Sequence, residues 1–103
     1  MTFKTIATNT SVAFPGITLD GSIEHDDDQR ALVMFTAEGP ETLSVNLQAY
    51  GLLAPSGHVW IKDWSEHEGL AASLAASGLV DEVSDTFVGP FFSRAVLVRV
   101  LGS

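Results

Sequence analysis

Apolar and polar residues alternate over much of the first two thirds of the chain, a period of two that is typical of half-buried β-strands. After a break at Pro15-Gly16, the apolar positions of residues 17–23 alternate with polar ones, and residues 30–36 form a second apolar stretch. The acidic segment 24–29 separates the two and has the composition of a turn. We therefore expect residues 17–23 and 30–36 to form a β-hairpin.

Three later segments also have the pattern of strands. Residues 42–50 show the clearest alternation, so they should form a strand with one buried face and one solvated face. Residues 58–64 and 94–101 are expected to be strands as well, and the second of these is apolar on both faces apart from two arginines. Residues 81–86 are polar and are expected to form a loop.

The period changes to that of a helix after Trp64. Ser65 and Glu68 fit a capping box, in which the serine caps the first turn and the glutamate follows three residues later. Leucine and alanine then dominate up to Gly78, which is expected to end the helix in a left-handed conformation. The helix should span residues 66–77.

Together these elements predict the α+β class, in one globular domain over residues 1–103. The sheet should be mostly antiparallel, with about six strands in a meander-like order and the helix near residues 66–77 packed on it. The pattern leaves open whether the sheet curls on itself.

Composition limits the range of functions more than it selects one. The chain has 103 residues, of which 46% are hydrophobic and 17% charged, and this balance fits a folded domain rather than a disordered segment. The formal net charge of −8 argues against direct binding to nucleic acid. The absence of cysteine excludes disulfides and thiol catalysis. Because no apolar run suits a signal peptide or a membrane span, we expect a soluble, cytoplasmic protein without membrane association.

The densest charge cluster lies in the predicted hairpin turn, and we call it the acidic patch: Glu24, Asp26, Asp27 and Asp28. Clustered carboxylates can hold a divalent cation or attract a basic partner. A calcium loop counted from Asp26 fails, because alanine stands where its glycine and its final bidentate glutamate are required. We favour the plainer interpretation, a solvated turn in which aspartate suits the turn geometry.

One strand face combines aromatic and basic side chains. His58, Trp60, Lys62 and Trp64 would share this face, because alternate residues of a strand point the same way. Two tryptophans beside a lysine could form a recognition surface or a ligand groove. The favoured alternative is structural: the tryptophans pack beneath the following helix, and Lys62 lies along them with its charge in water.

A second aromatic segment, residues 87–92, is interrupted by a Gly-Pro pair. Phe91 and Phe92 are candidates for an exposed surface that contacts a partner or a second copy of the chain. Insertion into the core is favoured, because phenylalanine is usually buried. Arg94 and Arg99 follow on the last strand and should form ion pairs with the surplus acids.

No catalytic, cofactor-binding or metal-binding constellation is found, and none of these is predicted. The leading hypothesis is a small acidic, non-enzymatic interaction module that self-associates or binds a basic protein partner. A second is a binding module for a small ligand or divalent cation, at the Trp60/Trp64 face or the acidic patch. A third, ranked last, is an enzyme that uses Lys62, His58 or His67 with a carboxylate such as Asp63.

Overall fold

The computed structural model describes residues 3–14 and 17–101, so the predicted break at Pro15-Gly16 lies outside the described residues. Within them the strands are β1 (Lys4–Phe14), β2 (Ile17–Asp26), β3 (Ala31–Thr36), β4 (Gly39–Thr42), β5 (Ser44–Val45), β6 (His58–Lys62), β7 (Val80–Val88) and β8 (Ser93–Val100). The α-helix, α1, is Leu70–Ala76, and two 3₁₀ turns are Gln48–Tyr50 and Ser65–His67.

The strands form two antiparallel sheets. The first has the order β1-β2-β3-β4, and the second has the order β5-β6-β8-β7. The predicted α+β class, the antiparallel pairing and the single helix are confirmed for the described part of the chain, which contains eight strands rather than about six. No helix among these residues is long and apolar enough to cross a membrane.

The predicted hairpin is confirmed as β2 and β3, joined by a turn at residues 27–30. One carboxylate oxygen of Asp26, Oδ1, accepts the backbone N–H of Asp28 at 3.0 Å and of Gln29 at 3.3 Å. An aspartate that bonds to the backbone two residues ahead stabilises a turn without a glycine. The acidic composition of the turn therefore has a local structural cause.

The strand predicted over residues 42–50 is wrong. Only two residues, in β5, pair with β6, and the chain then turns away from the sheet. The side-chain Oδ1 of Asn46 accepts the backbone N–H of Gln48 at 2.8 Å, and this local bond competes with strand pairing and precedes the 3₁₀ turn. Leu43 and Leu47 are both buried, but they belong to different clusters.

The helix begins later than predicted, at Leu70 instead of residue 66. Gly69 has a φ of 90° and Ser65 a φ of 56°, so neither continues a right-handed helix. The carboxylate of Asp63 accepts the N–H groups of Gly69 at 2.9 Å and Ala71 at 3.0 Å. The cap therefore comes from the end of β6, not from the predicted capping box.

The end of the helix is as predicted. Gly78 has a φ of 75°, and its N–H donates to the carbonyl of Ala75 at 3.0 Å. The N–H of Leu79 reaches back to the carbonyl of Leu74 at 3.1 Å, and Leu79 packs against the main core.

The loop predicted over residues 81–86 is wrong, because these residues belong to β7 and pair with β8. β7 lies at the edge of its sheet, and the side chains of residues 81–85 are all exposed. An irregularity in the pairing falls between Glu82 and Ser84. Charged side chains and a bulge are typical of an edge strand that resists pairing with another chain.

Two hydrophobic clusters lie on opposite faces of the second sheet. The main cluster contains Val59 and Ile61 of β6 together with Leu70 and Leu74 of α1. The smaller cluster contains Leu47, Trp60, Val88 and Ala95, with Leu52 and Ala54 packed against it. The helix therefore covers one face of β6, and the loop of residues 46–54 covers the other.

Candidate functional site

The Trp60 face of β6 points away from the helix. Because successive side chains of a strand point to opposite faces, the burial of Val59 and Ile61 against α1 directs Trp60 to the smaller cluster. Trp60 is 8% exposed, and Trp64 packs against the same cluster. The expectation that these tryptophans lie beneath the helix is wrong, although Trp60 is buried.

Lys62 lies beside Trp64 on this face. The Nζ atom of Lys62 is 5.9 Å from the centroid of the Trp64 ring, within the range of a cation–π contact. At the start of the strand, His58 Nδ1 lies 2.9 Å from the carbonyl oxygen of Ser56. Each of these polar groups therefore has a local structural contact.

The residues named for the enzyme hypothesis do not form one site. Lys62 and Asp63 are consecutive along an extended segment and lie on opposite sides of it, with Asp63 buried at the helix start. His67 is also buried, and its Nε2 lies 2.9 Å from Oε1 of Glu41. The described geometry gives the enzyme hypothesis no support.

The acidic patch lies at a hairpin turn, as expected, but it is only partly solvated: Asp28 is exposed, whereas Asp26 is not. Asp26 is fully buried, and its carboxylate bonds to the turn. The carboxylate of Asp27 accepts the N–H of Gly57 at 2.6 Å and the hydroxyl of Ser56 at 2.7 Å, so it joins the hairpin to the loop before β6. These hydrogen bonds, that from Gly57 first, lower the pKa of Asp27 below its usual value.

His25, next to the acidic patch, is buried in the first sheet. Burial disfavours its charged form and lowers its pKa, an effect that the nearby carboxylates of Asp27 and Asp26 partly oppose. His25 Nε2 is 3.9 Å from Oδ1 of Asp27. In the part of the chain that the structure describes, no group of three or more acidic or histidine side chains could hold a metal ion.

A groove of about 620 Å³ lies between the β2–β3 turn and the loop that covers Trp60. We call it the Trp60 groove, and it is lined by residues 28–31, 42, 44–48 and 52–54 and by Trp60. Its polar lining includes Arg30, which sequence reasoning assigned only to the start of a strand. The groove brings together segments that are far apart in sequence, so no local motif could indicate it.

The segment 87–92, which we call the aromatic turn, is a surface feature. It comprises the last two residues of β7 and the four-residue turn that leads to β8, and the side chains of Phe91 and Phe92 are 88% and 76% exposed. The favoured expectation of burial in the core is therefore wrong for the phenylalanines of this segment, although Val88 is buried in the smaller cluster. Phe87 is also exposed, and the hydroxyl of Tyr50 approaches Gly89 closely enough that a Cβ there would lie 3.4 Å from it.

Phe92 has a strained backbone. Its φ is 51°, a left-handed conformation that costs a bulky residue free energy and that glycine or asparagine adopts more readily. The N–H of Phe92 donates to the carbonyl of Gly89 at 3.3 Å, which closes the turn. The turn thus presents an exposed phenylalanine at a position where local conformation does not favour one.

No protein-family model, curated protein or solved structure matches this chain. The roles of its residues therefore rest on the geometry described above. Sequence reasoning identified Phe91 and Phe92 as surface candidates but missed Tyr50, because it placed this residue on a strand that does not form.

Proposed function

We propose that the protein is a non-enzymatic interaction module that binds a basic protein partner through the aromatic turn. The observation that carries this proposal is the exposure of Phe91 and Phe92, at 88% and 76%. Adjacent exposed aromatic side chains are unfavourable in water and are typical of surfaces that another protein covers. Tyr50, also exposed, enlarges the same surface beside Gly89.

The strained backbone of Phe92 supports a role in contact. A residue that is exposed gains little from packing, so its side chain does not offset the cost of a left-handed conformation. Contact with a partner would supply binding free energy that offsets this conformational cost. The turn also holds the phenylalanines in one backbone conformation, which lowers the entropic cost of association.

The charge distribution favours a basic partner. The chain has 13 acidic residues against 5 Lys and Arg residues. Asp81, Glu82 and Asp85 are all exposed on β7; Asp81 pairs with Arg99 at 2.6 Å and Asp85 with Arg94 at 3.1 Å. A partner with an apolar centre and basic rim would match an aromatic turn that an acidic strand flanks.

Site-specific photo-crosslinking in cells of the source organism tests this proposal. A photoreactive phenylalanine in place of Phe92 should yield one discrete protein adduct, and Phe91→Ser should weaken it. The same probe in place of Val83, which is exposed on β7, is the matched control and should not give that adduct. Identical products from both positions, or no adduct from position 92, would count against the proposal.

Self-association is the other way to cover the aromatic turn, and light scattering distinguishes it. If a second copy is the partner, the wild-type chain should become dimeric with increasing concentration, and Phe91→Ser should remain monomeric. If the wild-type chain is monomeric at all concentrations, self-association is excluded. The crosslinked adduct then identifies the partner as a different protein.

A cation-binding role at the acidic patch receives less support than the aromatic turn. The carboxylates of Asp26 and Asp27 already accept four hydrogen bonds between them from the protein. A cation would have to displace these bonds, which also hold the hairpin turn in place.

We propose in addition that the two sheets curl towards each other. Leu43, between β4 and β5, donates to the carbonyl of Leu32 at 2.9 Å and accepts from the N–H of Lys62 at 3.1 Å. These bonds link β3 to β6 through one residue and support the curled arrangement.

A further inference from the structure

The Trp60 groove contains polar groups that take no part in the proposed protein contact. Its volume of about 620 Å³ is within the range of small-molecule sites. Leu47, Leu52 and Trp60 give it apolar lining, and these side chains belong to the smaller hydrophobic cluster. A planar apolar group would fit such a lining better than a flexible polar one.

Trp60 brings an unused hydrogen-bond donor to this place. Its indole Nε1 is buried and has no hydrogen-bond partner among the residues the structure describes. Buried donors are normally paired, and an isolated one is unfavourable. Because Trp60 lines the groove, the signal of this indole N–H should report on a molecule that packs against the ring.

Arg30 supplies the charge of the groove. Its Nε donates to the carbonyl oxygen of Ala54 at 2.9 Å, which fixes the guanidinium group beside the loop. Nη1 is 3.5 Å from Oδ1 of Asp27, and the side chain is 35% exposed, so terminal N–H groups remain accessible to a ligand. The φ of Arg30 is 52°, a strained conformation of the kind found at binding sites.

We propose that the Trp60 groove binds a small planar aromatic molecule carrying one carboxylate. The aromatic ring lies against Trp60 and Leu52, and the carboxylate accepts hydrogen bonds from Arg30, whose planar fork suits it. The net charge of −8 and the presence of Asp28 at the groove disfavour polyanions such as nucleotides. This site does not depend on the aromatic turn, so either proposal can fail alone.

Nuclear magnetic resonance of the full 15N-labelled chain tests the site, with 2-naphthoate as the probe. The chain contains two tryptophans, so two indole N–H signals are expected, and Trp64→Phe identifies which one belongs to Trp60. The Trp60 signal should shift and saturate with 2-naphthoate. The uncharged analogue 2-naphthylmethanol should bind about tenfold more weakly, since it lacks the charge-assisted bond to Arg30.

Two substitutions and a matched control complete the test. Arg30→Gln should remove the preference for 2-naphthoate over the alcohol, and Trp60→Phe should weaken binding of both. Trp64→Phe, which lies beyond the end of β6 and outside the groove lining, should bind as the wild type does. If Trp60→Phe fails to fold, the affinities of the wild type and of Arg30→Gln for the two probes still test the proposal.

Three outcomes would overturn the proposal. The first is the absence of a saturable shift at millimolar 2-naphthoate. The second is equal affinity for 2-naphthoate and 2-naphthylmethanol. The third is a set of shifts confined to residues 87–92, which would mean that the probe binds the aromatic turn.

Discussion

Asp63 is a buried carboxylate that joins the end of β6, the start of α1 and the last strand. It accepts two helix N–H groups, and its Oδ1 is 3.5 Å from Nη1 of Arg94. Its role illustrates why local sequence patterns mislead at this helix. Ser65 and Glu68 match a capping box, but an acceptor two residues before the serine satisfies the helix start instead.

At Asp63, replacement by asparagine should lower the free energy of unfolding by about 1–3 kcal/mol, because the buried carboxylate accepts two N–H groups at the helix start and the amide has only one acceptor oxygen. Chemical denaturation measures the change. Ser65→Ala is the matched control and should change stability by less than about 0.5 kcal/mol, since the helix has its N-cap at Gly69, four residues after this serine. Similar losses in both variants would mean that Asp63 is not the cap.

His25 should make stability depend on pH. Its pKa is lowered from 6.5 in the folded protein, so near that pH the unfolded chain binds a proton more readily. Stability should therefore fall as the pH decreases below 6.5, until the pH passes the folded pKa of His25. Lys4, Arg30, Asp26 and Asp27 supply the charges around it.

A titration of the His25 ring signals by nuclear magnetic resonance checks this directly. The apparent pKa should lie below 6.5, and denaturation of His25→Gln should show a shallower loss of stability on acidification. A ring pKa above 6.5 would contradict the assignment of burial as the dominant cause.

At the scale of elements, the backbone of β3 leaves no room for a side chain at Gly21 of β2. A Cβ built there would lie 2.0 Å from the carbonyl oxygen of Phe35 and 2.8 Å from its carbonyl carbon. Both atoms belong to the backbone, so a side-chain rotation cannot relieve the clash. The hairpin therefore requires glycine at this position.

Gly21→Ala should cost about 2–3 kcal/mol or more in unfolding free energy, because the two strands must separate to admit a methyl group. Gly51→Ala is the control: it has a φ of 74° and nothing within 4 Å of its Cβ, so only backbone strain of about 1 kcal/mol is expected. Equal costs in denaturation experiments would show that Gly21 matters only through its backbone angle.

Sequence patterns predicted the elements whose own side chains show which face is buried or where the element ends. β2, β3, β6 and β8 have apolar faces that pack in a core, and Gly78 ends the helix locally. The predictions failed where the secondary structure of a segment depends on contacts with residues distant in sequence. β7 is a strand because β8 pairs with it, although residues 81–85 within it are exposed and mostly polar.

The candidate sites were predictable only in part, for a related reason. The exposure of Phe91 and Phe92 depends on a four-residue turn that lifts them from the sheet, and their residue type alone favoured burial. The Trp60 groove depends on contacts between the hairpin turn and a later loop, such as the bond from Arg30 to Ala54. Neither feature produces a periodic pattern of apolar and polar residues from which it could be predicted.

At the scale of the whole molecule, the two clusters and the helix form a core that includes Val88 but not the phenylalanines of the aromatic turn. Phe91 and Phe92 belong to neither cluster. Under the proposed function, these two side chains contact another protein and contribute little to the stability of the fold. Folding and binding should therefore respond differently to changes in this turn.

The most direct measurement of that claim is the unfolding free energy of the double variant Phe91→Ser, Phe92→Asn. It should equal the wild-type value within about 0.5–1 kcal/mol or exceed it, because little packing is lost and asparagine tolerates the left-handed conformation. A loss above about 2 kcal/mol would place these phenylalanines in the folding core. That result would contradict the account of the aromatic turn as a binding surface.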